Sequence, residues 1–202
     1  AEQLAAMVRD CGAGILFVDA SASAALDTVG EKLTVKRVAL EGVANPSFAS
    51  WLAPQGAKPT PVTIDPDQTF NIIYSSGTTG TPKGIVQPHK MRWGHVRRAE
   101  ALGYGPDAIT IVSTPLYSNT TLVSLIPALM RGGTVVLMRK FDARGFLELA
   151  QKHHATHAML VPVQYRRLMD LPDFEIFDLS SFRMKTCTSA PLCMSSVNCV
   201  RS

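Results

Sequence analysis

Tyr74-Ser75-Ser76-Gly77-Thr78-Thr79-Gly80-Thr81-Pro82-Lys83-Gly84 is the stretch on which the reading of this chain turns. It is a run of serines, threonines and glycines held between strand-forming residues, 70–74 on one side and Ile85 and Val86 on the other. Glycine reaches positive φ without steric cost and lets backbone N–H groups come close to a ligand. Hydroxyls add further donors toward anionic oxygens, and Lys83 supplies a mobile point charge. Such a loop suits a polyphosphate. A nucleotide-binding P-loop would need G-x4-G-K-[ST], whereas here Pro82 precedes the lysine and Gly84 follows it, so that fold is excluded by spacing. A flexible tether would share the composition. It would not need strand formers tight on both sides, nor a proline stiffening the backbone just before the cation.

Outward from this loop, strand-like and helix-like segments alternate, the pattern of a parallel sheet covered by helices. Upstream, Leu4, Met7 and Val8 fall at helical spacing ahead of Ile15–Val18, a continuous apolar run expected to be a buried strand. Pro54, Pro59 and Pro61 around Gly56 then mark a connector that no helix or central strand crosses. Downstream, a helix is expected from about Pro88, a strand at 108–112, a helix at 120–131 stopped by Gly132 and Gly133, and a strand at 134–138. Asp142 can cap a helix with Ala143, Phe146, Leu147 and Ala150 on its apolar face. A strand at 156–161, a helix opened by Pro162 and running through Leu168, and a last strand at 183–188 complete the series. Consecutive βα units of this kind imply right-handed crossovers. The segment from Cys193 to Ser202 shows neither period.

With 202 residues, 46% of them hydrophobic, the chain can bury a core without disulfides or metals. Its cysteines at 11, 187, 193 and 199 fit neither a zinc hook nor a dense disulfide framework, so reduced thiols and a cytoplasmic location are expected. No apolar run is long enough to span a bilayer, and 20 basic against 16 acidic residues is too even a balance for a nucleic-acid footprint. Neither a membrane span nor a nucleic-acid partner is expected, and oligomeric state is not readable. Ala1 in place of Met, with no leader-like start, leads us to expect a stretch of a longer protein.

The loop motif YSSGTTGTPKG resembles the phosphate-binding signature of the adenylate-forming superfamily, the AMP-dependent synthetases and ligases that include acyl-CoA synthetases, luciferases and nonribosomal-peptide adenylation domains. Pro115-Leu116-Tyr117-Ser118-Asn119-Thr120-Thr121 resembles the family's P-L-[FY]-H segment, and Ser189-Ala190-Pro191-Leu192 its G-A-P-L segment. The three motifs occur in the family's order.

The resemblance implies an α/β fold, a parallel-rich sheet flanked by helices, forming part of the large N-terminal domain over residues 1–192. It implies ATP-dependent activation of a carboxylic acid to an acyl-adenylate, with transfer to CoA in a full-length parent, and hence ATP, Mg²⁺ and CoA as cofactors and partners. Ser75, Ser76, Gly77, Thr78, Thr79, Gly80, Thr81 and Lys83 would hold the ATP phosphates, Lys83 being the catalytic candidate. Ser189, Ala190 and Pro191 would lie against adenine, and Trp93, Tyr117 and Ser118 would wall the acid pocket.

The chain also departs from the pattern. Ser118 stands where many acyl-CoA synthetases have histidine, and it cannot become a cation. Beyond Leu192 neither the Y-G-x-T-E nor the T-G-D segment follows, so residues 193–202 are expected to be an atypical tail left by truncation or a shifted frame. On that reading these 202 residues do not turn over by themselves. The alternatives are a non-catalytic nucleotide- or phosphate-binding module and a non-functional remnant.

Two further clusters have plain explanations. His153 and His157 are spaced i, i+4, but a helix ending near them would not hold both on one face, so no metal site is expected. Lys90, Arg92, Arg97 and Arg98 are expected on a solvated helix face, with Trp93 and Val96 turned inward.

Overall fold

A computed structural model describes residues 1–29, 33–41, 46–75 and 82–188. The chain divides into two compact units, Ala1–Gln87 and Pro88–Ser202.

In the first unit, α1 (Glu2–Asp10) and β1 (Ile15–Val18) form as the apolar spacing requires. Three elements that the sequence reading did not place follow: α2 (Ala20–Asp27), β2 (Lys36–Ala39) and α3 (Phe48–Trp51). The α2 helix opens on Asp19, whose carboxylate accepts the Ala22 N–H at 2.7 Å. β1 and β2 pair in parallel, Ile15 opposite Lys36 through Val18 opposite Ala39. Ala5, Val18, Leu26 and Val29 make the core here. The expectation that Ile15–Val18 is buried throughout is corrected: only Val18 is, while Ile15 and Phe17 are each 42% exposed. Leu16 and Val18 pack with α1 and α2, and alternation sends Ile15 and Phe17 to the opposite face. Phe17 there meets the edges of Trp51 and Phe48, at 4.9 and 6.0 Å between ring centroids. No helix or strand lies between Trp51 and Thr69, as the prolines predict. β3 (Thr69–Ser75) and β4 (Lys83–Pro88) then pair with each other.

In the second unit, α4 (His89–Ala99), β5 (Ile109–Val112), α5 (Asn119–Met130), β6 (Thr134–Leu137), α6 (Ala143–His153), β7 (His157–Leu160), α7 (Pro162–Met169) and β8 (Met184–Cys187) follow the expected series within a residue or two. The four strands form one parallel sheet in the order β6-β5-β7-β8. Alternation sorts its two faces. Ile111, Val136, Ala158 and Leu160 pack with Phe146, Leu147 and Ala150 of α6 and Tyr165 and Leu168 of α7. Val135, one residue from Val136, joins Ala99 of α4 and Ala128 of α5 on the other face.

Local chemistry ends these helices where the sequence predicts. Gly132 adopts φ 77° after α5, and the Asp142 carboxylate accepts the Gly145 N–H at 2.6 Å to open α6. At Gly133 an added Cβ would stand 2.8 Å from the Ala108 carbonyl oxygen, so the chain turns from α5 into β6 through a space only glycine fits.

Candidate functional site

The described ends of the phosphate-loop motif are Ser75, closing β3, and Lys83, opening β4. Ser76, Gly77, Thr78, Thr79, Gly80 and Thr81 lie outside the described residues, as do Ser189, Ala190 and Pro191 and the tail from 193 to 202. Both flanking side chains are exposed, the ammonium of Lys83 among them.

Two contacts set the strands that lead into the motif. The Tyr74 hydroxyl donates to the carboxylate of Asp10 at the end of α1, and that hydrogen bond pushes its pKa up to about 12. Tyr74 is therefore a neutral donor tying β3 to α1. Gly84 answers from β4: a Cβ there would come 3.0 Å from Ile72 Cγ2 and 3.2 Å from the Tyr74 ring. The missing side chain lets β4 close over β3. The motif's last glycine is thus explained by strand packing, a role the sequence reading did not assign.

The described donor set, a lysine and a serine hydroxyl at paired strand ends, fits a polyanion. Mg²⁺ prefers carboxylate oxygens. Among the described residues no group of three or more His, Cys, Asp and Glu could hold a metal.

In the second unit the strand order places a topological switch point between β5 and β7, whose following connections leave in opposite directions, to β6 and to β8. Ligands of open α/β sheets bind outside the carboxyl ends of the strands at such a point. The structure has a crevice there of ≈ 560 Å³, lined by residues that directly follow β5, β6 and β7. Residues 113–116 form one wall of it, so the P-L-Y-S segment borders the crevice. A second cavity, ≈ 230 Å³, opens instead into the apolar layer between α6, α7 and the sheet and is lined by core residues such as Phe146 and Leu160. That one is a packing gap at the sheet's face, not at its strand ends.

Polar clips hold the P-L-Y-S turn. Thr121 donates to the Pro115 carbonyl at 2.6 Å and sits 2.6 Å from Thr114 Oγ1, and Gln164 Nε2 reaches Ser113 Oγ at 3.4 Å. Tyr117 projects from the turn, 79% exposed. Ser118 is the N-cap of α5 and makes no capping hydrogen bond with its side chain.

The basic helix is corrected in one respect. Trp93 faces solvent and Arg92 faces inward, with Val96 and Ala99 completing the buried i, i+4, i+7 stripe. The Arg92 guanidinium donates to Asn119 Oδ1 at 2.9 Å, at the first turn of α5, and burial lowers its pKa. A long aliphatic stem made this possible where a helical wheel assigns the position to water.

The histidines do not share a face. His153 ends α6, His154 takes φ 50° at its C-cap, and His157 is a fully buried residue of β7.

A family model described as "AMP-binding enzyme" matches residues 1–201. An indoleacetate–CoA ligase of Aromatoleum aromaticum is 31% identical over 89% of this chain and 36% of its own length. A 4-coumarate–CoA ligase of Arabidopsis thaliana is 30% identical over 95% of this chain and 36% of its own. Among solved structures, an amide bond synthetase from Marinactinospora thermotolerans superposes with a TM-score of 0.82 at 28% identity, covering 99% of this chain and 40% of that one. The chain thus spans about a third of the length of the curated relatives it matches.

Proposed function

The chain belongs to the AMP-binding enzyme family, and from that premise we propose that it supplies the phosphate-gripping part of an enzyme that activates a carboxylic acid with ATP. An acid oxygen attacks the α-phosphorus, an O–P bond forms, the bond from that phosphorus to the bridging oxygen breaks, and pyrophosphate leaves with the electron pair. No proton transfer and no protein nucleophile are needed, so binding and orientation carry the catalysis.

In this reading Ser75, the loop at 76–81 and Lys83 hold the β- and γ-phosphates, and Lys83 stays on the leaving pyrophosphate as its charge grows. Bound Mg²⁺ would neutralise charge on the same oxygens. Ser189, Ala190 and Pro191 would rest against adenine, with Tyr117, Ser118 and Trp93 toward the acid. Transfer of the acyl group to CoA belongs to the whole parent protein, and the CoA-ligase names of the two curated relatives support it. In the same reading the adenylating domain's share of the chain runs to residue 192, and these 202 residues alone do not turn over.

The observation that carries the reading is the YSSGTTGTPKG motif set between paired strands in a family member. Calorimetric titration of the chain with ATP–Mg²⁺ and with an acyl-sulfamoyl adenosine mimic tests it. Tighter binding of the mimic is expected. Binding of ATP alone would favour a nucleotide-binding module without acid chemistry, and binding of neither would favour a remnant. ATP–pyrophosphate exchange by the 202 residues would overturn the lack of turnover.

A further inference from the structure

The crevice at the carboxyl ends of β5, β6 and β7 has a charge pattern that acid activation does not use. Its walls are apolar, with Leu116, Leu137 and Val163 each more than half exposed to solvent. Arg139, Lys140 and Arg167 stand among them, and among the described residues no acidic one lines it.

These three cations are uncommitted. Arg37, Arg131, Arg144 and Arg183 each meet a carboxylate, with N–O separations of 2.5 to 3.3 Å. Arg139, Lys140 and Arg167 make no ion pair or hydrogen bond among the described residues. Asp142, the nearest acid in sequence to Arg139 and Lys140, accepts the Gly145 N–H in capping α6, and Asp170, the nearest to Arg167, makes no ion pair with it among the described residues. Three unpaired cations around an apolar cleft at a switch point select a ligand with an apolar body and an anionic end.

The carboxylate that reacts cannot be that anion, because it must face the α-phosphorus and is consumed as an acyl group. We propose that the crevice is a subsite for the remote anionic end of a dianionic acid, whose apolar body lies on Leu116, Leu137 and Val163 and whose second carboxylate meets Arg139, Lys140 and Arg167. The crevice shares its 113–116 wall with the segment that continues into Tyr117 and Ser118, which favours the acid over a phosphate-bearing thiol as occupant. Two guanidinium forks also match a carboxylate's paired oxygens. This assignment of the ligand as the acid rests on the acid-activating reading above.

The test is calorimetric titration of the 202-residue chain at low salt with octanedioate and octanoate, each carried as its mono-acyl sulfamoyl adenosine so that one end is committed to the adenylate, and with 4′-phosphopantetheine, repeated on an Arg139→Gln, Lys140→Gln, Arg167→Gln variant. All three positions are exposed, and near-ultraviolet circular dichroism checks that the variant is folded. Octanedioate is expected to bind about tenfold more tightly than octanoate, and the variant to erase that gap while leaving octanoate unchanged. Equal binding of the two acids, no binding of either, or a gap that survives in the variant overturns the proposal. So does phosphopantetheine binding that is lost in the variant while octanedioate binding is not. A parallel ATP titration separates the two readings: ATP binding without the dianion preference sinks the crevice alone, and the dianion preference without ATP binding sinks the acid-activating reading alone.

Discussion

Replacing His157 by leucine removes a buried polar side chain that is tied at both ring nitrogens. Its ring is fully buried in β7, Nε2 lies 3.0 Å from the Leu102 carbonyl oxygen and Nδ1 2.7 Å from Thr156 Oγ1, and the Tyr104 ring packs on it at 4.2 Å. A carbonyl only accepts, so Nε2 carries the proton and, in the neutral ring, Nδ1 accepts from Thr156. After substitution Thr156 Oγ1 keeps its contacts with Ile109 N and O, at 2.8 and 3.2 Å, but the Leu102 carbonyl loses this partner. That bond is part-buried, so leaving the acceptor without it costs about 1–3 kcal/mol, and loss of the Thr156 bond adds about 0.5–1.5 kcal/mol. The variant should therefore be about 2–4 kcal/mol less stable near pH 7.5 by urea unfolding followed by far-ultraviolet circular dichroism.

The same contacts fix the sign of a pH effect. Burial lowers the His157 pKa, the Leu102 hydrogen bond opposes this, and Arg183 adds to it. Between the lowered folded value and the ordinary unfolded value near 6.5 the unfolded chain binds more protons. Stability is thus fully present above about pH 6.5 and falls as pH drops through that window, by at most about 1.4 kcal/mol per pH unit for one proton. The His157→Leu penalty must shrink by a similar amount from pH 7.5 to 5.5. A variant as stable as wild type at pH 7.5, or a penalty that grows on acidification, would refute the reasoning.

Other substitutions test local steps. Asp142→Ala removes the cap of α6 and should cost about 1 kcal/mol by the same unfolding assay, with Asp142→Asn nearer to neutral. Gly133→Ala drives a methyl into the Ala108 carbonyl and should cost about 1–3 kcal/mol, whereas Gly12→Ala, with open space around it, should lose less, from its positive φ alone.

Much of the second unit was legible because its signals are local and agree with one another. Asp142 as cap, Phe146, Leu147 and Ala150 as a 3.6-period stripe, and Gly132 as stop are each readable within a few residues. The α2 and β2 elements were not, since Ala20–Asp27 has a weak apolar stripe and Lys36–Ala39 opens with two cations. Their order comes from β1 pairing and from Leu26 meeting Val18, contacts distant in sequence. Ile15 and Phe17 misled in the opposite direction, because an apolar run does not say how many helices will cover its strand. At the candidate site, Lys83 and the hydroxyl-rich loop announce themselves by composition and spacing. Tyr74 with Asp10 and Arg92 with Asn119 do not, since each pair joins residues far apart in the chain whose side chains are ordinary on their own. The crevice cations follow two different strands, Arg139 and Lys140 after β6 and Arg167 after β7, and only the strand order brings 139, 140 and 167 together. A reader of the sequence had the general signal, residues just past strand ends, without the order needed to use it.

The most direct measurement is the affinity of this chain for ATP–Mg²⁺ before and after Lys83→Ala, with folding verified by circular dichroism. Lys83 is exposed at the start of β4, so its loss should leave the fold intact while removing a charge-assisted hydrogen bond to phosphate. A phosphate grip centred on this loop predicts affinity weakened about tenfold or more. Unchanged affinity in the variant, or no ATP binding by the folded wild-type chain, would contradict it.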